Sequence, residues 1–349
     1  MVAALDAIYI PEISYPELLG LQSYFLEAVR TGRCAPVLIT YRLAGRLVAL
    51  GRYHLYAGPE SNREVGIYRR LTGGRIVGAG QGWLGCALIL PSRDSLLPQG
   101  LPLKPEQVLN RHLRGTLAGL RKLGVDCFYP GRDAITIDRR EFAISSFETD
   151  SSGAFLLETF LAIDRGLQHL VDDLELLDPD GALTAPMYGA DRVTTLAREL
   201  GRQIAAEDIV KAIEAGHESL LEQVRRRELT EQEGAETKSR GADLAARGWL
   251  TSRKRDPTLT LAGRERIQLG FAEAYLALDV TNEIDRIVIA GDLIANSAGL
   301  EQFERELRGK PLDLVSVSAA VAKTYADGAN YVLGIGDLTN LTRVIMKAS

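Results

Sequence analysis

The stretch Arg69-Arg70-Leu71-Thr72-Gly73-Gly74-Arg75-Ile76-Val77-Gly78-Ala79-Gly80-Gln81-Gly82 is the most unusual in this 349-residue chain. Two adjacent arginines run into a glycine pair. Glycine lets main-chain N–H groups approach a phosphate or carboxylate closely, and arginine offers paired donors to the same groups. The segment therefore suits an acidic ligand. The competing reading is a glycine-rich turn between strands with a solvated arginine pair, and composition leaves both open. It is not a Walker loop, since no Gly-Lys-Ser/Thr follows. Gly-x-Gly-x-x-Gly at a strand-to-helix turn is also absent.

On the N-terminal side, Leu18, Leu21, Phe25 and Val29 recur at three- and four-residue steps after Pro16, which predicts a helix with one buried face. Val37 to Leu43 and Arg46 to Leu50 are β-rich runs separated by Ala-Gly, so a hairpin is expected. Gly85 to Leu90 is a further extended run ending at Pro91. On the C-terminal side, Val108, Leu109, Leu113, Leu117 and Leu120 predict a helix from Glu106 to Leu123, entered through Pro105. Short strands are expected at Val125 to Phe128, Ala134 to Ile137, Phe142 to Ser145 and Ala154 to Ile163. This order implies an α+β domain with a sizeable mixed sheet, and the lack of a regular βαβ repeat argues against a doubly wound nucleotide fold.

Residues 191–247 read as helix-rich and polar. The loop-like stretch from Thr251 to Thr260 marks an approximate boundary, giving a first domain over 1–252 and a small α/β module over 260–349, where Ile284 to Lys347 reads as strand, helix, helix, strand. A formal net charge of -5 gives no electrostatic reason to expect a nucleic-acid partner. No run approaches the ~20 apolar residues of a membrane span. The N-terminus lacks the basic start and apolar block of a secretory signal, and the three cysteines, Cys34, Cys86 and Cys127, fit a reduced cytoplasmic setting. Four scattered histidines offer no zinc-ligand spacing.

The Arg69 to Val77 segment resembles the Arg-Arg-x-Ser-Gly-Gly-Gly-x-Val motif of lipoate–protein ligases of the A type, within the biotin/lipoate A/B protein ligase family. The resemblance continues in order along the chain. Leu50-Gly51-Arg52-Tyr53-His54 and on to Glu60 is similar to that family's Gly-Arg-Phe-Gln…Glu segment. Gly131-Arg132-Asp133 stands where the family has Arg-Asn-Asp before a strand. Asp191 to Leu196 and Glu228 to Glu233 resemble later features, and Ile287 to Leu293 with Glu301 to Gly309 is similar to the C-terminal accessory domain. The resemblance implies a mixed-sheet cofactor-ligase catalytic domain with a small α/β accessory domain. It implies substrate-binding roles for Arg69, Arg70, Thr72, Gly73, Gly74, Arg75, Val77 and Asp133. It further implies activation of lipoate or octanoate with ATP and Mg²⁺, followed by transfer of the acyl group to a lysine of a lipoyl-type carrier protein, with a ligase lysine steadying the developing negative charge.

This sequence departs from the pattern at three places. Glu141 stands at the lysine position, with Arg140 as the substitute if the register shifts by one; a solvated charge cluster at a strand end is the plain alternative. Ala79 and Gly80 replace a His-Asp pair, a change expected to widen the space. Arg75 replaces the third glycine. Two readings follow: an active acyltransferase with an altered pocket, or an inactive homologue that binds an acyl ligand or acylated carrier as an accessory or regulatory protein. Cys86 and Cys127, in apolar runs, are expected to be buried structural thiols, and His54 is open to either a pocket or a surface role.

Overall fold

The computed structural model describes residues 4–56, 65–96, 102–169 and 191–348; Glu60, part of one matching segment, lies outside them. In chain order the elements are β1 (Leu5–Ile13), α1 (Tyr15–Arg30), β2 (Val37–Leu43), β3 (Leu47–Leu50), β4 (Gly66–Arg69), β5 (Val77–Ala79), β6 (Trp83–Leu90), α2 (Pro105–His112), α3 (Arg114–Lys122), β7 (Cys127–Phe128), β8 (Ala134–Ile137), β9 (Arg140–Thr149) and β10 (Phe155–Ala162). There follow α4 (Leu196–Leu200), α5 (Ala206–Glu218), β11 (Val224–Arg226) and α6 (Glu231–Ala246). The C-terminal part holds β12 (Leu261–Arg266), β13 (Phe271–Leu278), β14 (Ile284–Gly291), β15 (Ile294–Ala295), α7 (Ser297–Leu307), α8 (Leu314–Tyr325), β16 (Val332–Leu333) and α9 (Thr339–Met346).

The first helix forms where its apolar period predicts. Ser14 and Glu17 cap each other's backbone reciprocally, Pro16 sits in the first turn, and Leu18, Leu21, Phe25 and Val29 face the core. The helix carries the chain from β1 to a parallel partner, β2. These strands belong to an eight-stranded mixed sheet ordered β11-β1-β2-β6-β10-β9-β8-β7. Its central strands, β6 and β10, are buried along their whole length. One face packs against α1 and the small β3–β5 sheet; the other packs against α2, α3 and α5. The observed architecture is thus the expected α+β class with a large mixed sheet.

Three local expectations are revised. Val37–Leu43 and Leu47–Leu50 form no hairpin: β2 pairs with β1 and β6, whereas β3 joins a separate three-stranded sheet ordered β4-β3-β5. The apolar face of β3 is needed against α1's side of the core, so the Ala-Gly turn swaps sheets instead of folding back. The helix over 106–123 is two helices meeting at Leu113. In the C-terminal part, β12 and β13 precede β14, where the expected strand-helix-helix-strand run begins, and that stretch ends on the helix α9, after the short strand β16. No described helix is long and apolar enough to cross a membrane.

The β8–β9 turn positions the segment of greatest interest. Its two central residues, Asp138 and Arg139, both have positive φ (47° and 63°), the signature of a two-residue turn that usually carries Asn-Gly. A left-handed conformation costs an L-residue on the order of 1 kcal/mol. Arg139→Gly is therefore expected to raise the unfolding free energy by about that amount. An unchanged or lowered urea midpoint would refute the strained turn.

Candidate functional site

The arginine–glycine segment links β4 to β5 and crosses over β9 and β10. Thr72 Oγ1 donates to Glu158 Oε2 at 2.5 Å, and Ser146 Oγ donates to the Gly73 carbonyl at 2.9 Å. The loop is therefore pinned to the two strands beneath it. It is neither a surface turn nor a solvated arginine pair: Arg69, Arg70 and Arg75 are all buried.

Each arginine does something different. Arg69 is a backbone clamp. Its guanidinium donates to the carbonyls of Gly51, Arg52 and His54 (3.3, 2.9 and 2.6 Å) and of Leu250 and Arg253 (3.0 and 3.1 Å), binding the β3–β4 connection to the segment that leads into the C-terminal part. Burial, aided by Arg253 and Arg52, pushes it down to about 9, which leaves it charged at neutral pH. Arg70 closes the loop on itself by donating to the Gly73 and Arg75 carbonyls (2.7 and 2.6 Å), and it lies over the Phe160 ring. Among the described residues its Nε and Nη1 have no hydrogen-bond partner. Around it lie Glu158 and Gln22, joined at 2.6 Å, and the hydroxyls of Tyr15 and Tyr41.

Arg75 is held by acids. Its Nε and Nη2 meet both oxygens of Asp133 at 2.7 and 2.8 Å, and Nη2 reaches Glu141 Oε2 at 3.1 Å. The two departures from the family pattern thus touch: the residue replacing glycine pairs with the residue at the lysine position. Burial raises the Glu141 carboxyl above its usual range, with Arg75 opposing. Arg140, one residue earlier on the strand, projects the other way. Its guanidinium pairs with Glu199 at 3.0 Å, so it does not reach Arg75 or the loop. The substitute role for Arg140 therefore has no geometric support. Val77 is buried in β5 opposite Ala49 and serves the core.

The glycine pair has an unexpected neighbour. The Gly74 N–H, which the sequence suggests should face a ligand, donates to the Leu293 carbonyl of the C-terminal part at 2.6 Å. A Cβ on Gly73 would lie 2.2 Å from that same oxygen. The adjoining segment is latched on both sides. Asp292 meets His54 Nε2 at 3.1 Å, so His54 is neither a pocket nor a surface residue. Glu148 accepts from the Ser297 N–H and Oγ and from the Tyr53 hydroxyl (2.9, 3.1 and 2.8 Å), capping α7 from the other side of the interface. Burial outweighs Arg52 and these hydrogen bonds and raises Glu148 to about 7.

The expected widening at Ala79-Gly80 is also not found. Gly80 has φ of 133°, and a Cβ there would lie 2.1 Å from the Gly45 carbonyl, so backbone fills the space. Cys86 and Cys127 are buried thiols, raised by burial to about 12 and about 11.

What the fold assembles instead is a cavity of about 130 Å³ bounded by Arg75, Asp133 and Glu141, by Arg132 and Arg192, and by the turn from Arg266 to Phe271. Arg192 is brought there because its carbonyl accepts the Glu141 N–H at 2.8 Å while Val193 bridges to the same residue. Four guanidinium groups face two carboxylates, so the cavity favours an anion. Of the sequence candidates it unites Arg75, Asp133 and Glu141. It leaves Arg69, Arg70, Thr72 and the glycines one layer away. Arg132 and Arg192 stood in the quoted motifs unremarked, and nothing local marks Arg266, which reaches the site only through the tertiary fold.

Residues 14–218, more than half of the chain, match the family model described as the lipoyl protein ligase A/B catalytic domain. A comparison with curated protein sequences gives no significant match. The fold is similar to that of P. falciparum LipL1, solved with lipoate, at a TM-score of 0.66 and 13% identity over 93% of this chain and 98% of that one. It is also similar to a bipartite lipoate protein ligase from Thermoplasma acidophilum (TM-score 0.54, 16% identity, 72% of this chain and 98% of that one). A lipoate-protein ligase A bound with ATP matches at a TM-score of 0.51 and 17% identity, over 68% of this chain and 94% of that one. At such identities the solved structures speak for the fold, and the matched family model, spanning the arginine–glycine loop, Asp133 and Glu141, shows that the chain belongs to the lipoyl protein ligase A/B family.

Proposed function

We propose that this protein is an acyltransferase of the lipoate–protein ligase type, which grips a lipoyl- or octanoyl-type acid at the arginine cavity, activates it with ATP to the acyl-adenylate with release of pyrophosphate, and passes the acyl group to a lysine of a lipoyl-type carrier with release of AMP. The observation that supports this best is the cavity itself: four guanidinium groups around two carboxylates, at the position the family resemblance marks as the reaction centre. Arg132, Arg192 and Arg266 supply donors suited to a carboxylate or phosphate. Neighbours solved with lipoate and with ATP favour a lipoyl-like acid and ATP as substrates. The polyphosphate of ATP suits the arginine lining. Asp133 and Glu141 are both engaged by Arg75 and lie among four guanidinium groups, so these two carboxylates do not fit Mg²⁺, and no step runs through the ion. At about 130 Å³ the cavity itself takes a single acidic group, so the rest of a larger substrate would extend beyond it.

A second reading rests on Glu141. A carboxylate committed to Arg75 offers no cation to a developing oxyanion, which favours a homologue that binds the acyl ligand or the acylated carrier without turning it over. One assay separates the two: lipoate or octanoate, ATP, Mg²⁺ and a purified lipoyl domain, followed by intact mass of the domain. The first reading expects acylation, with Arg192→Ala and Arg266→Ala each raising the acid's KM by about 10- to 100-fold, the worth of a charged hydrogen bond. Absence of acylation while calorimetry still registers the acid or the acylated domain would select the second.

A further inference from the structure

Beside the arginine cavity lies a much larger one of about 660 Å³, between the start of α2 and the C-terminal part. The two share Arg132, Gln268 and Leu269, so a continuous surface runs from the guanidinium groups into the larger space. That volume falls within the range of sites for organic ligands. Its walls are chiefly apolar. Leu109, Leu269, Ile294 and Val332 present buried side chains, and Leu338, 37% exposed, stands at the rim. Of the aromatic rings that border it, Tyr331 packs on Phe147 and carries Arg93, and Tyr325 packs on Phe303, with Tyr129 as the third ring. A flexible aliphatic chain needs only apolar contact, and each methylene it buries contributes about 0.8 kcal/mol.

We propose that this cleft seats the aliphatic tail of a fatty acid longer than octanoate, with its acid end against Arg132, Arg192 and Arg266. The assignment rests on the proposed anion-binding role of the arginine cavity and adds to it a substrate class and a location for the tail. Lys104 and Glu106 also line the cleft, and the direction is set by the three guanidinium groups of the adjoining cavity, which take the acid end. The Tyr325 hydroxyl, buried and without a hydrogen-bond partner among the described residues, lines the same cleft.

Gly328 gives a direct test. It lines the cleft, and a Cβ placed there meets nothing within 4 Å, so Gly328→Phe fills the space without displacing the core. Leu338→Asp is a second variant, at the partly exposed rim, that sets a charge against the tail. Titration calorimetry of the full chain with dodecanoate and octanoate is expected to show dodecanoate binding at least tenfold tighter. Both variants should abolish that preference while the thermal midpoint holds. Equal affinity for the two acids, or a preference that survives both variants, would overturn the tail site; if Arg266→Ala still weakens both acids, the arginine cavity stands without it. No binding of either acid would overturn both assignments together.

Discussion

Asp133→Ala is expected to lower the unfolding free energy by about 3–5 kcal/mol, the usual cost of removing one partner from a buried ion pair. The side chains of Arg75 and Asp133 are 4% and 1% exposed, and the pair is joined by two short parallel contacts. Without the carboxylate, a desolvated guanidinium would lose both of these short contacts. Glu141 is a weaker substitute, being 20% exposed and reached by one nitrogen. Glu141→Gln should therefore cost about 1 kcal/mol or less, as for partly solvated pairs. The contrast matters because the resemblance gives Asp133 a substrate-binding role. Urea unfolding of the two variants decides how much of that position is structural. A stable, cooperatively folding Asp133→Ala protein would show that the pair is dispensable for the fold and free to serve a ligand.

Arg69→Ala should be comparably severe, at least about 3 kcal/mol, because it strands several buried carbonyls at once. The five contacts of this guanidinium join residues 51–54 to residues 250–253, so its loss loosens the seat of the C-terminal part as well as the loop. Arg69→Lys is not expected to rescue it, since an ammonium cannot span carbonyls that lie on both sides of a planar fork. Affinity for the acid, measured where the variant remains folded, should change little. A large loss of affinity with unaltered stability would return Arg69 to the ligand.

Much of the catalytic domain was legible in the sequence. The three- and four-residue apolar spacing of Leu18 to Val29 and the capping pair Ser14 and Glu17 specify α1 locally, and the Ala134–Ile137 strand fell where its β-branched run placed it. The site was read less well. A pair of arginines beside glycines carries the same local signal whether the guanidinium groups face a ligand or backbone carbonyls. Only the partners tell the two apart, and those of Arg69 lie up to 184 residues away.

By itself the sequence determined the helical periods, the strand runs, the low net charge and the order of motifs that places the chain in its family. The resemblance also implied exchanges at the lysine and third-glycine positions, for Glu141 and Arg75. Tertiary structure alone decided that these two exchanges meet at 3.1 Å, that Leu293 takes up the Gly74 N–H, and that Arg132, Arg192 and Arg266 converge on one cavity. The physical reason is range. Propensity and periodicity act over a few residues, whereas ion pairing and the packing of remote segments depend on what the hydrophobic cores bring together.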